Sequence, residues 1–444
     1  MSINRRQFLR GAAVSAATIA ATSTLSCDES ELLSPDASGI EHIIVVMMEN
    51  RSFDHFLGWL PGANGKQAGL SFTDGAGESH STYHLTTYVG CSHPDPDHTY
   101  AGGRSEYNAG KMDGWLRTTT NDVYCIGYYD EADLPVLGAL ARNFTTLDNY
   151  FSSILSSTYP NRIFQHAAQT DRLSNTQDVS TLPTIWDSLA NAGISNTYYF
   201  GNVPFLALWG DKYTGISKFY TDFLADCAAG SLPAVSFLDP SYTLLDDGDG
   251  NDDHPHADVR AGEAFLSEVY NAVTNGPAWK NTVLIINRDE GGGFYDTAVP
   301  PRAAAPNNID TDVANGKALL GNRVPVVVVS PFSMGKPATP RIDSHVYDHA
   351  SVLKLIEWRF GLAPLTLRDA SDDVANLALA LDLKADYAAP PSIPVVAAPR
   401  RTPCGLLELG STIDNESYDF HKLLKSDLTN HWALPSKASK MKAS

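Results

Sequence analysis

The chain has 444 residues, 43% hydrophobic and 19% charged, with 51 acidic against 32 basic residues and a formal net charge of -19. An apolar fraction this ordinary excludes a wholly disordered chain. The acidic excess argues against nucleic acid as a partner, because phosphates need a basic face to meet them.

The chain opens with Asn4-Arg5-Arg6-Gln7-Phe8-Leu9-Arg10, followed by a weakly apolar run of mostly Ala, Ser and Thr up to Leu25. Paired arginines before Phe-Leu resemble a twin-arginine signal, which exports folded proteins. An ordinary secretory signal is the alternative. The run is too short and too polar for a membrane anchor. Leu25-Ser26-Cys27 is similar to a lipoprotein cleavage site. Residues 1–27 thus read as a signal, with lipidation at Cys27 and a membrane tether weighed against plain cleavage nearby. A periplasmic, extracellular or lipid-anchored protein is expected, with no protein partner indicated. Without Cys27, four cysteines remain, enough for two disulfides in an oxidising compartment. Cys91 with Cys125 is a plausible pair, since both lie in loop-like sequence.

Residues 28–39 read as a polar linker. Ile43 to Met48 is a continuous apolar run, the pattern of a buried parallel strand. Residues 58–130 lack periodicity and read as long surface loops. Helices are predicted over Asp133–Phe144, Asn161–Ala168, Val259–Val273 and His349–Phe360. Further strands are predicted over Thr197–Phe200, Ala234–Leu238, Thr282–Ile286 and Val326–Val329. Strands alternating with helices predict an α/β fold around a mostly parallel sheet. One domain over 40–385 is expected, then a Pro-rich and Lys-rich extension over 386–444 whose end frays.

Four constellations could carry chemistry. The first predicted strand runs into Glu49-Asn50-Arg51-Ser52-Phe53-Asp54. At a strand's carboxyl end, where ligands of open α/β sheets collect, Glu49 and Asn50 offer hard oxygen atoms to a cation. A simple turn with a capping acid is the alternative. The strand at 282–286 leads to Asp289-Glu290-Gly291-Gly292-Gly293-Phe294-Tyr295-Asp296. Adjacent carboxylates there are costly unless something positive sits between them. Acids from two strand ends could converge on one metal. Ser156-Ser157-Thr158-Tyr159-Pro160-Asn161-Arg162 precedes a predicted helix. Thr158 would lie near its N-terminus, where an anion is favoured; a plain Ser/Thr cap is the alternative. Among the histidines, His98 and His254 lie in acidic, loop-rich sequence suited to acid–base or phosphate-binding work, as do His256, His345 and His349. The run Asp246 to Asp253 has calcium-loop composition without the spacing, and reads as a solvated acidic loop.

Taken together, Ile43 to His55, Asn108 to Trp115, Thr158 to Arg162, Asp289 to Asp296 and Tyr347 to Leu353 resemble the bacterial phospholipase C and acid phosphatase A phosphoesterase family, in that family's order over about 40–365. The resemblance implies an alkaline-phosphatase-like, three-layer α/β/α sandwich with a bound divalent metal (Ca, Mg, Mn or Zn). Glu49, Asn50, Asp289 and Glu290 would hold the metal. Thr158 would be the nucleophile, with His98 and His254 contacting phosphate oxygens or protonating the leaving group. Asn50 and Arg162 are the substrate-binding candidates, although Arg162 could equally be a structural partner of nearby acids. The implied substrate is a phospholipid or a small phosphoester. The alternatives are an acid phosphatase acting on monoesters, or a surface protein that binds phosphate or metal without catalysis. Two departures stand out. Thr297 follows Asp296 where the family usually has His, and Ser156-Ser157 precedes Thr158 in place of Gly-Pro.

Overall fold

The computed structural model describes residues 32–244, 250–385, 388–399, 404 and 415–443. The signal, Cys27, the first part of the linker and Asp246 to Asp249 of the acidic loop lie outside the described residues.

One sheet contains eight strands: β1 His42–Met48, β2 Thr145–Leu147, β3 Asn196–Phe200, β4 Ser217–Phe219, β5 Val235–Asp239, β6 Thr282–Arg288, β7 Val326–Val329 and β8 Arg341–Asp343. Their order across the sheet is β8-β2-β7-β6-β1-β5-β3-β4. The strand β7 runs antiparallel to both neighbours, and every other pairing is parallel. The helices around it are α1 Phe53–Leu57, α2 Tyr100–Tyr107, α3 Pro135–Asn143, α4 Thr158–Ala167, α5 Ile185–Asn191, α6 Tyr220–Ala229, α7 Val259–Asn275 and α8 His349–Phe360.

Side chains alternate across a strand, and β1 shows what each face meets. Ile43 and Val45 pack with Ile163 of α4, Trp186 of α5 and Leu353 of α8. Ile44, Val46 and Met48 pack with Leu137 of α3, Phe223 of α6 and Phe265 of α7. The expected three-layer α/β/α sandwich follows directly. Each fully buried aliphatic side chain here contributes about 2 kcal/mol.

Four expectations need correction. Residues 58–130 are more than loops. They hold α2 and, with Tyr295, form a satellite core of Phe72, Met112, Trp115, Leu116, Cys125 and Ile126. The apolar residues of that core are too widely spaced to show a period. The C-terminal end does not fray within the described residues. Phe420, Leu423 and Leu424 from the helix Asn415–Lys425 join the main core with Trp432 and Ala438, because an apolar stripe runs beneath the lysines. Cys91 pairs with Cys404, while Cys125 is a free thiol buried in the satellite core. Asp252 and Asp253, read as part of a solvated loop, are buried. Thr243 holds Asp252 through its backbone and hydroxyl, and Arg288 holds Asp253 at 2.6 Å.

Candidate active site

Parallel register builds the first half of the site. Met48 of β1 lies opposite Arg288 of β6. Glu49 and Asp289 therefore leave the sheet side by side, and the Asp289 N–H donates to the Met48 carbonyl at 3.3 Å. The glycines that follow are required by what they approach. Gly292 and Gly293 both have left-handed φ values, +62° and +67°. A Cβ on Gly292 would stand 2.1 Å from the Asn50 carbonyl, and one on Gly293 would stand 2.7 Å from Pro96. The glycine turn thus lies directly on Asn50 and on the loop that carries His98. Within the turn, the Asp289 carboxylate accepts from the Glu290 N–H at 2.9 Å, and the Glu290 carboxylate accepts from the Gly292 N–H at 2.7 Å.

The helix α4 builds the second half. It begins at Thr158, so Pro160 falls inside its first turn, where a missing N–H costs nothing. Prediction placed the start later, at Asn161. The Asn161 amide clamps the approach to the helix, bonding Ile154 N and the carbonyls of Ile154, Ser156 and Ser157 at 2.9–3.1 Å. Ser157 is the N-cap residue, and its side chain makes no capping bond. The Ser156 hydroxyl donates to Leu173 O at 2.7 Å. Thr158 is fully buried and its hydroxyl has no hydrogen-bond partner among the described residues. Its hydroxyl is thus not spent on capping, and burying it unpaired is costly unless something else occupies it.

Arg162 lies one turn after Thr158, on the same helix face, and joins the two halves. Its Nη2 donates to Glu49 Oε1 at 2.5 Å, its Nε to Asp289 Oδ2 at 3.1 Å, and its Nη1 to Asp239 Oδ1 at 3.1 Å. The Met48 carbonyl takes a further bond from Nη2 at 3.0 Å. Burial works against the Arg162 charge, but the Tyr242 ring, Glu49, Asp289 and Asp239 hold its pKa well above the ordinary value. Of the two roles open to this residue, the geometry is that of a partner to the acids, since all three nitrogens already donate to protein atoms.

The histidines come in from two loops. The Glu49 N–H donates to Asp252 O at 2.6 Å, which sets the 252–256 turn beside the metal-ligand candidates. His254 Nε2 lies 3.6 Å from Asp95 Oδ2. His98 is half-buried, and its Nδ1 bonds Pro96 O at 2.7 Å.

One contributor went unrecognised in sequence. Asp239 ends β5 as Glu49 follows β1, with an apolar run before it, and that pattern was available. Burial raises its pKa above the usual carboxylate range, while Arg162 and Tyr198 pull it back. His349, one of the histidines singled out in the sequence, stands at the start of α8. Its Nε2 bonds Asp289 O at 2.7 Å and its Nδ1 lies 3.0 Å from the Tyr150 hydroxyl. A carbonyl accepts only, so Nε2 carries the proton and Nδ1 accepts from Tyr150. Burial lowers the His349 pKa to about 4, which keeps the ring neutral in that arrangement. As for the family departures, the Thr297 hydroxyl donates to Asp54 Oδ2 at 2.6 Å, away from the acids around Arg162.

A cation can be tested against this donor set. Glu49, Asp239, Asp289 and Glu290 are all at least 95% buried, and Arg162 pairs with the first three. Three carboxylates on one guanidinium, Glu290 next in the chain after Asp289, an Asn carboxamide and the Thr158 hydroxyl make a hard-oxygen donor set, which fits a divalent metal. The compact His/Asp/Glu triplets among the described residues lie elsewhere, at Asp74, Glu78 and His80 and at His84, Asp130 and Asp133, on half-buried to exposed surface.

This fold and these motifs define a phosphoryl-transfer scaffold, and comparison with known proteins agrees. A family model described as the Phosphoesterase family matches residues 40–363, and the chain belongs to that family. It is 32% identical to non-specific phospholipase C6 of Arabidopsis thaliana, over 75% of this chain and 71% of that protein. It is 30% identical to phospholipase C B of Mycobacterium tuberculosis, over 73% and 74% of the two chains. Similar solved structures include a protein in the alkaline phosphatase superfamily from Vibrio parahaemolyticus, at 10% identity and a TM-score of 0.34 over 79% of this chain and 71% of that one. The protein is a hydrolase acting on phosphoric ester bonds.

Proposed function

We propose that the protein is an exported, metal-dependent phosphoesterase of phospholipase C type, with Thr158 as its nucleophile. The observation that carries this reading is the Thr158 hydroxyl, buried and unpartnered at the first position of α4, one turn from the arginine that ties Glu49 to Asp289. Glu49, Asn50, Asp289 and Glu290 would hold a divalent metal, which would lower the hydroxyl pKa and neutralise charge developing on the phosphoryl oxygens.

The chain's own groups do the rest. Thr158 Oγ1 passes its proton to water as it forms a bond to phosphorus, while the bond from phosphorus to the leaving alkoxide breaks. His98 or His254 gives that alkoxide a proton as it departs. Water then attacks the phosphothreonine, the Thr158–phosphorus bond breaks, and the phosphate ester of the head group leaves. Arg162 keeps Glu49 and Asp289 in place through both steps. The relatives named as phospholipases C favour a phosphodiester over a monoester.

Thr158→Ala tests the nucleophile. Turnover is expected to fall by about 10⁴-fold or more with metal content retained; near-normal turnover with the alanine in place would sink the assignment. Release of phosphocholine from phosphatidylcholine, set against hydrolysis of an aryl phosphomonoester, separates the two substrate classes. Export rests on Arg5 and Arg6. Changing both to Lys is expected to leave the protein in the cytoplasm, and unchanged fractionation would refute a twin-arginine route.

A further inference from the structure

The part of the chain beyond the family match touches the site at both of its ends. On one side, Cys404 is bonded to Cys91, in the loop that goes on to Asp95 and His98. That loop is already laced to the 252–256 turn: Gly90 N–H donates to Pro255 O at 2.8 Å, His256 Nε2 bonds His93 O at 3.0 Å, and Asp95 faces His254. Cys404 is buried against the same turn, its sulfur 3.8 Å from His256 O. On the other side, Phe420 stacks on Tyr242 at 3.7 Å and meets Tyr159 edge-on at 5.5 Å. Tyr159 follows the nucleophile, and Tyr242 carries the Arg162 guanidinium 4.8 Å above its ring. Ahead of both contacts, the proline segment is fixed to α7, where Tyr270 donates to Pro391 O at 2.6 Å and Ser267 to Pro394 O at 3.2 Å.

We propose that the C-terminal extension is a positioning strap for the reaction, and that its disulfide sets the histidine-bearing loops against the nucleophile helix, so that reduction of Cys91–Cys404 releases the proton-donating side of the site while the metal-binding side stays intact. The proposal deepens the phosphoesterase reading and rests on it. Backbone hydrogen bonds on the half-buried 90–98 loop open readily when few apolar contacts cover them. A crosslink to a segment anchored elsewhere removes most of that freedom. The β1 and β6 ends gain nothing from the crosslink, because sheet register and Arg162 already fix them. Reduction by a dithiol breaks one S–S bond, gives two thiols, and oxidises the reductant to its cyclic disulfide.

The experiment uses the folded, metal-loaded protein, oxidised and after mild treatment with dithiothreitol, with Cys91→Ser/Cys404→Ser as a second route to the open form. Amide hydrogen exchange in residues 90–98 and 252–256 is expected to speed up about tenfold or more, while β1, β6 and α4 and the metal content stay unchanged. Turnover is expected to fall about 10²-fold on a substrate with a poor alkoxide leaving group, and only a few-fold on a nitrophenyl ester whose leaving group needs no proton. Unchanged exchange in the two loops overturns the strap. So does faster exchange throughout the chain, or an equal loss on both substrates, since either would make the disulfide a general brace. Failure of the phosphoesterase reading is seen separately, as absence of turnover by the oxidised enzyme on both substrates.

Discussion

Two buried arginines in this molecule do similar jobs with different consequences. Arg162 bridges Glu49 and Asp289; Arg323 bridges Asp54 and Asp296. Both acid pairs come from the same two sequence blocks, one residue from each block in each pair. Around Arg323 everything is accounted for. Asp54 accepts from Lys66 N at 2.8 Å and from Thr297, and Asp296 accepts from Ala298 N at 2.8 Å. Burial, set against Arg323 and sharpened by Asp54, raises the Asp296 pKa to about 7, so the surplus charge there can be met by a proton. Around Arg162 a third carboxylate crowds in, Asp239, and one turn earlier on the same helix stands a hydroxyl with no partner among the described residues. One cluster is a closed clamp. The other adjoins a buried hydroxyl with no partner among the described residues, and the proposed nucleophile is that hydroxyl.

The comparison can be broken in several ways. Asp289→Asn should abolish tight metal binding and lower turnover by about 10³-fold, several kcal/mol of transition-state stabilisation. Asp296→Asn should leave metal content and turnover near wild type. Equal damage from both, by elemental analysis and kinetics, would erase the distinction. Arg323→Met leaves two buried acids without their counter-ion and should cost about 3–5 kcal/mol of stability in chemical denaturation; a loss below about 1 kcal/mol would deny its clamp role.

A smaller effect comes from His166, one turn beyond Arg162 on α4 among Trp186, Phe205 and Phe237, with ring centroids 5.1–6.1 Å away. Burial, aided by Arg162, lowers its pKa from 6.5 to about 3. The unfolded chain therefore takes up a proton that the folded one refuses. Stability from this group is complete above pH 6.5 and is lost as pH falls toward 3, about 2 kcal/mol by pH 5. His166→Phe should flatten the slope between pH 7 and pH 5 by that amount, and an unchanged slope would place the acid sensitivity elsewhere. Smallest of all, Thr297→Val removes one hydroxyl bond to Asp54 and should cost about 1 kcal/mol without touching turnover. A large loss of activity would draw Thr297 into the site.

Much of this was legible in the sequence where the signal is local. The apolar run into Glu49, the run into Asp289 and the Thr-Tyr-Pro-Asn-Arg block each announced a strand end or a helix start. Which strand ends are neighbours is not local. The adjacency of β1 and β6 is set by sheet order, and so is the arrival of Asp239 from β5. The antiparallel run of β7 leaves no mark on four consecutive valines buried on both faces. The Cys91–Cys404 bond spans 313 residues, and loop-like surroundings favoured the nearer Cys125. Lysine content hid the stripe of Phe420, Leu423 and Leu424 that seats the C-terminal helix.

The placement of β1 also governs when the enzyme can exist. This strand is made first among the sheet strands, yet its partners β5 and β6 begin only at Val235 and Thr282. Contacts this distant in sequence form late and slowly. Until residue 289 has been synthesised, Glu49 has no Asp289 beside it, so a growing chain holds only half of the acid set. The two halves of the acid set come together in the same step that closes the centre of the sheet.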